Sequence, residues 1–105
     1  MTTLRTIRGF AFDLDGTIWA GPRLLPGAVE IVNAVRDAGL AVVFASNSSR
    51  QGSAGLAREL TRLGIPATPR DVIAAFDLTA AELLRQVGPT SVLAIGTDDL
   101  SASLA

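Results

Sequence analysis

Short apolar, β-rich runs alternate along this chain with stretches of helical period, and each run is followed by polar or turn-forming residues. That alternation points to a parallel α/β sheet, because parallel neighbours need a crossover that is usually a helix. The first strand reads as about Arg8 to Leu14. Gly21-Pro22 and Leu25-Pro26-Gly27 punctuate a loop, after which Ala28, Val29, Ile31, Val32 and Val35 recur at helical spacing up to a stop at Gly39. Leu40 to Ala45 is an almost unbroken apolar run, suited to a strand covered on both faces. A second helix, about Ser53 to Leu63, lines up Leu56, Leu60 and Leu63 and stops at Gly64. A short strand near Asp71 to Ala75, a helix from Leu78 to Val87, a fourth strand over Ser91 to Ile95 and a last helical start after Gly96 complete the reading. The expected fold is a Rossmann-like parallel sheet with helices on both faces.

The chemistry concentrates where the first two strands end. Gly9-Phe10-Ala11-Phe12 runs straight into Asp13-Leu14-Asp15-Gly16-Thr17. Read as a strand, Phe10, Ala11 and Phe12 are buried, and Asp13 and Asp15 share one side because side chains alternate with period two. Two carboxylates leaving a buried strand repel unless a cation sits between them. A hard divalent ion such as Mg²⁺ meets that need with oxygen ligands. Gly16 lets the chain turn sharply and bring N–H groups near an anion. The second strand ends in Ser46-Asn47-Ser48-Ser49-Arg50, and in open α/β sheets ligands gather at such carboxyl ends.

Composition removes several alternatives. The 105 residues contain no Cys, His or Lys, so thiol chemistry, imidazole acid–base catalysis and His-ligated zinc are excluded. A formal charge of −1 gives no electrostatic reason to expect nucleic acid or an anionic membrane as partner. Met1-Thr2-Thr3-Leu4-Arg5-Thr6 lacks an apolar signal core, and no run is long enough to span a bilayer, so a cytoplasmic location is expected.

Phe12-Asp13-Leu14-Asp15-Gly16-Thr17 resembles the first motif of the haloacid-dehalogenase-like hydrolases, and Ser46 resembles their second. Asp13 to Trp19, Leu25-Pro26-Gly27-Ala28, Phe44 to Arg50 and Leu63-Gly64-Ile65 are spaced as in the capped branch related to nitrophenyl-phosphate, phosphoglycolate and glycerol-phosphate phosphatases. The resemblance implies that Asp13 is the nucleophile that forms an aspartyl-phosphate, and that Asp15 is the general acid and then the base. It implies Mg²⁺ on the Asp13 carboxylate and the Asp15 backbone carbonyl. Ser46 and the Asn47 backbone would bind phosphoryl oxygens, with Gly16 and Thr17 shaping the turn. The implied substrate is a small phosphorylated metabolite.

Against that pattern, Ser46 stands where the branch usually has Thr, and Ser48 where Asn is common. The family's basic third motif is missing, as is its later acidic cluster. Asp98-Asp99 superficially suits the latter, but reads better as carboxylates at a helix start. The expectation is therefore an N-terminal portion: residues 1–76 as part of the core, and 77–105 as the beginning of a cap. The competing expectation is a truncated, non-catalytic domain that binds metal or phosphate weakly, or serves as an interaction module. Its exposed sheet edge would invite pairing with a second copy, making a homo-oligomer one expected partner. Phosphoacceptance of the response-regulator kind shares an Asp at a strand end, but the Asp-x-Asp-Gly-Thr turn in the first strand and the lack of Lys speak against it. Trp19 and Phe76 read as packing residues, Trp19 near enough to Asp15 to line the entrance. Asp77 and Glu82 read as an exposed helix start, Arg58 and Arg62 as a solvated face, and Arg50 either as solvated or as meeting a substrate anion or cap.

Overall fold

The computed structural model describes residues 6–104. Three parallel strands form the sheet: β1 (Gly9–Asp13), β4 (Ala41–Ser46) and β5 (Val72–Ala74), in the order β1-β4-β5. Phe12 pairs with Phe44, and Phe44 with Val72 on its other side, so β4 is central. Helix α1 (Ala28–Asp37) makes the first crossover and α2 (Ser53–Arg62) the second. Between β1 and α1 lies a small antiparallel ribbon, β2 (Trp19–Ala20) with β3 (Arg23–Leu24). A 3-10 turn (Pro69–Asp71) leads into β5, α3 (Ala75–Val87) follows at once, and α4 (Asp98–Leu104) comes last.

Alternation along β4 decides where the core sits. Val42, Phe44 and Ser46 are buried, whereas Val43 and Ala45 are half-buried. The buried set packs with Val32 and Val35 of α1, Leu56 and Leu60 of α2, and Val72 and Ala74 of β5. Both crossovers run the same way across the sheet, so their common right hand puts α1 and α2 on one face. The expected parallel α/β sheet flanked by helices is thus present, with these two helices on one face. Ala11, Ala41, Val43 and Ile73 occupy the opposite face, and Ile73 is 50% exposed.

Three expectations are corrected. Phe10 and Ala11 are exposed and Phe12 only half-buried, because β1 is an edge strand with a neighbour on one side. No strand forms over 91–95, where Leu93 and Ile95 are 88% and 87% exposed. An apolar, β-branched run becomes a strand only where it finds a pairing edge, and this one pairs with neither edge of the sheet. Helix α3 begins at Ala75, three residues earlier than expected. Of the N-terminal segment, Met1–Arg5 lies outside the described residues, as does Ala105. Among the described residues no helix is long and apolar enough to cross a membrane.

Candidate active site

Leu14 is the pivot of the first motif. It is fully buried, and its carbonyl accepts the N–H groups of Thr17 (3.1 Å), Ile18 (2.9 Å) and Trp19 (3.1 Å), folding the chain back just after β1. Gly16 sits in the left-handed region at φ +83 and donates its N–H to the Trp19 carbonyl at 2.7 Å. A side chain is strained in that conformation, which is why glycine follows Asp15. The strand ends at Asp13, so a turn, not strand alternation, sets the direction of Asp15. Burial still alternates, with Leu14 inside and both carboxylates exposed. Asp13 Oδ1 accepts the Leu14 N–H at 2.8 Å, and Asp15 Oδ1 accepts the Trp19 indole N–H at 2.9 Å. Trp19 is only 6% exposed, so a rigid donor orients the Asp15 carboxylate.

The second cluster is a ladder of side-chain-to-backbone bonds. Ser46 Oγ, largely buried at the end of β4, accepts the Ser48 N–H at 3.1 Å. Ser48 Oγ accepts the N–H groups of Arg50 (3.1 Å) and Gln51 (3.4 Å). Such hydroxyl turns replace regular structure where a strand hands over to a helix. The helix N-cap is Gly52, so none of residues 46–49 caps α2. Instead Ser53 N–H donates to Asp77 Oδ2 at 2.9 Å, and the Thr97 hydroxyl donates to the Arg50 carbonyl at 2.8 Å. Asp77 is half-buried, not the exposed helix start expected of it. It lies 24 residues from its partner, and no local sequence pattern signals that pairing.

Pairing of β1 with β4 sets Asp13 beside Ala45, one residue from Ser46. Asp13, Ser46 and Asn47 line one open depression of about 340 Å³, together with Ala45, Ile73, Ala75 and Leu78. Asp15, Gly16 and Thr17 lie in the adjoining turn and do not line it. The contributions of Ile73, Ala75 and Leu78 were not foreseen, since they depend on α3 starting directly off β5. A larger concavity of about 500 Å³ lies between α3 and residues 88–104, and among the described residues Asp77 is the sole ionisable one of its lining. Reactive groups therefore favour the smaller depression.

The donor set there suits Mg²⁺ only as a partial shell. Carboxylate and carbonyl oxygens of Asp13 and Asp15 are hard ligands of the right kind. Among the described residues no group of three or more acidic, His or Cys side chains converges as a metal site, so an ion held by these two would keep most of its waters. Asp98 opens α4, in keeping with a carboxylate at a helix start.

A parallel sheet with Asp-x-Asp-Gly-Thr at the end of one strand and a serine at the end of its neighbour is the arrangement that the sequence motifs lead one to expect. The chain belongs to the haloacid dehalogenase-like hydrolases, whose family model matches residues 10–105. It is 37% identical to human chronophin in an alignment 103 positions long that covers 92% of this chain and 35% of chronophin. Its fold superposes on a 4-nitrophenylphosphatase from Thermotoga maritima with a TM-score of 0.81 at 28% identity, over 93% of this chain and 38% of that one. It superposes equally well, with a TM-score of 0.81 at 30% identity, on a glycerol phosphate phosphatase from Mycobacterium tuberculosis in complex with magnesium, over 95% of this chain and 30% of that one. The chain spans about a third of the length of the curated relatives it matches, 33% for rat and 35% for human chronophin.

Proposed function

We propose that this chain carries the nucleophile and phosphate-binding part of a Mg²⁺-dependent phosphomonoester hydrolase acting on a small phosphorylated metabolite. The observation that carries this reading is the meeting of Asp13, Ser46 and Asn47 in one depression at the ends of two paired parallel strands. An Asp13 carboxylate oxygen would attack phosphorus in line with the leaving alkoxide, giving an aspartyl-phosphate. Ser46 and the Asn47 N–H would bind phosphoryl oxygens as their charge redistributes. Asp15, held by the Trp19 indole, would protonate the leaving oxygen and then take a proton from the attacking water. Gly16 and Thr17 keep the turn that presents Asp15. When bound at the Asp13 carboxylate and the Asp15 carbonyl, Mg²⁺ would offset the negative charge between nucleophile and phosphate. The magnesium complex of the mycobacterial relative supports that choice of ion. A soluble metabolite rather than nucleic acid or membrane fits the nearly neutral charge, and we place the protein in the cytoplasm.

Hydrolysis of 4-nitrophenyl phosphate with Mg²⁺ tests the reading. Activity that disappears in Asp13→Asn, and in EDTA with recovery on added Mg²⁺, supports it. Rates equal to the Asp13→Asn background with saturating Mg²⁺ reject self-sufficient turnover. The lack of a three-carboxylate metal cluster among the described residues favours a second reading: a domain that binds phosphate or metal weakly without turnover, or pairs with other chains through its open β1 edge. Measurable phosphate binding without hydrolysis would identify the first form, and a concentration-dependent dimer the second.

A further inference from the structure

Helix α2 starts without a cap of its own. Gly52 occupies the N-cap position with no side chain to offer, and the first turn holds no acidic residue. A helix start nevertheless exposes unpaired N–H groups and a partial positive charge. The acceptor comes from another element: Asp77, in the first turn of α3, takes the Ser53 N–H on Oδ2. From that anchor back to Ser46 the chain is short and tied at several points. Arg50 and Gln51 bond to Ser48 Oγ, Ser48 bonds to Ser46 Oγ, and the Arg50 carbonyl is held by Thr97. The first turn of α3 also sends Ala75 and Leu78 into the wall of the depression that holds Asp13. One short segment thus touches the reactive depression on one side and, on the other, the start of α2, to which the Ser46 turn leads.

We propose that Asp77 is a positioning residue for phosphate recognition. By accepting the Ser53 N–H it fixes the start of α2, and through the serine ladder it sets the Ser46 hydroxyl and Asn47 N–H against the phosphate site. The choice of phosphate as ligand rests on the phosphomonoester reading above. A mere helix cap would stabilise α2 and leave the loop and its ligand affinity alone.

The bond can be removed from either end. Asp77→Ala deletes the acceptor. Ser53→Pro deletes the donor at the first helical position, where proline is well tolerated and where the extended Gly52 before it is compatible with a following proline. Asp77→Asn keeps an acceptor oxygen. Two readouts are taken on the full chain: the amide chemical shifts of Asn47, Ser48 and Arg50 without ligand, and the affinity for inorganic phosphate with saturating Mg²⁺. Asp77→Ala and Ser53→Pro are expected to move those amides and to weaken phosphate binding by about tenfold each. The double variant should be no weaker than either single, and Asp77→Asn should recover most of the loss. Folded variants with unmoved loop amides, or with unchanged phosphate affinity, overturn the proposal. A native chain that binds no phosphate rejects the phosphomonoester reading, and the loop amides then decide the tether alone. Should Asp77→Ala fail to fold, Ser53→Pro and Asp77→Asn decide the question by the same two readouts.

Discussion

Asp13 and Asp15 are one residue apart, yet their surroundings divide the work between them. Asp13 leaves a strand and accepts the next backbone N–H, and it lines the depression. Asp15 leaves a turn and is braced by a buried indole. Trp19→Phe keeps the packing but deletes that donor. A loss of about 1 kcal/mol in chemical denaturation is expected for one hydrogen bond. If the chain turns over substrate, the loss should appear in the acid–base limbs of its pH–rate profile, with phosphate affinity little changed. Gly16→Ala meets no atom within 4 Å, so its cost is conformational: about 1 kcal/mol, read from the denaturation midpoint. The Asp-x-Asp-Gly-Thr turn and Ser46 were legible in the sequence because strand end, turn glycine and hydroxyl are all local signals. Asp77 was not, since nothing local couples a carboxylate to a helix start 24 residues away.

At the level of elements, period-two alternation separates what holds the fold from what merely decorates it. Val72 and Ile73 are neighbours in β5, one 6% and the other 50% exposed. Val72→Lys puts an unpaired charge among Phe44 and the α2 leucines and should cost about 3 kcal/mol or more. Ile73→Lys points away from that core and should stay within about 1 kcal/mol. Comparable losses from both substitutions in urea unfolding would refute the one-sided core. On α2, the Arg62 guanidinium bonds to the Glu59 carboxylate and holds it below its usual range. The pair's contribution is complete above the ordinary carboxylate value and is lost as pH falls through the lowered one. The pair is solvent-exposed, so Arg62→Ala should barely move the thermal midpoint at neutral pH. Helices α1 and α2 and strands β4 and β5 were readable because their apolar periods match their packing, whereas the two-residue strands of the β2–β3 ribbon are too short to carry a period. Residues 91–95 were misread because composition announces β-propensity but not whether a pairing edge is in reach.

The whole molecule is more extended than its length requires. Its radius of gyration is 15.7 Å, where a compact chain of this size has about 13 Å. Few side chains are buried in α3 and the residues after it: of α3 only Phe76 is buried, and Val92, Leu93 and Ile95 are exposed. A segment with few buried contacts opens at low free-energy cost. Amides of residues 89–97 should therefore exchange within the dead time, while those of Val42, Phe44 and Leu60 exchange only through global unfolding. The same exposed side chains form an apolar surface that invites self-association as concentration rises. Leu93→Asp with Ile95→Asp removes two side chains that are almost wholly in solvent, so the thermal midpoint should hold within about 2 °C, as expected of surface substitutions. Sedimentation velocity at increasing concentration should show less association in this double variant than in the native chain. If association is unchanged, the contact lies elsewhere, with the β1 edge the next element to block. If the midpoint falls steeply, these two residues are packed and the extended shape is wrong for the molecule in solution.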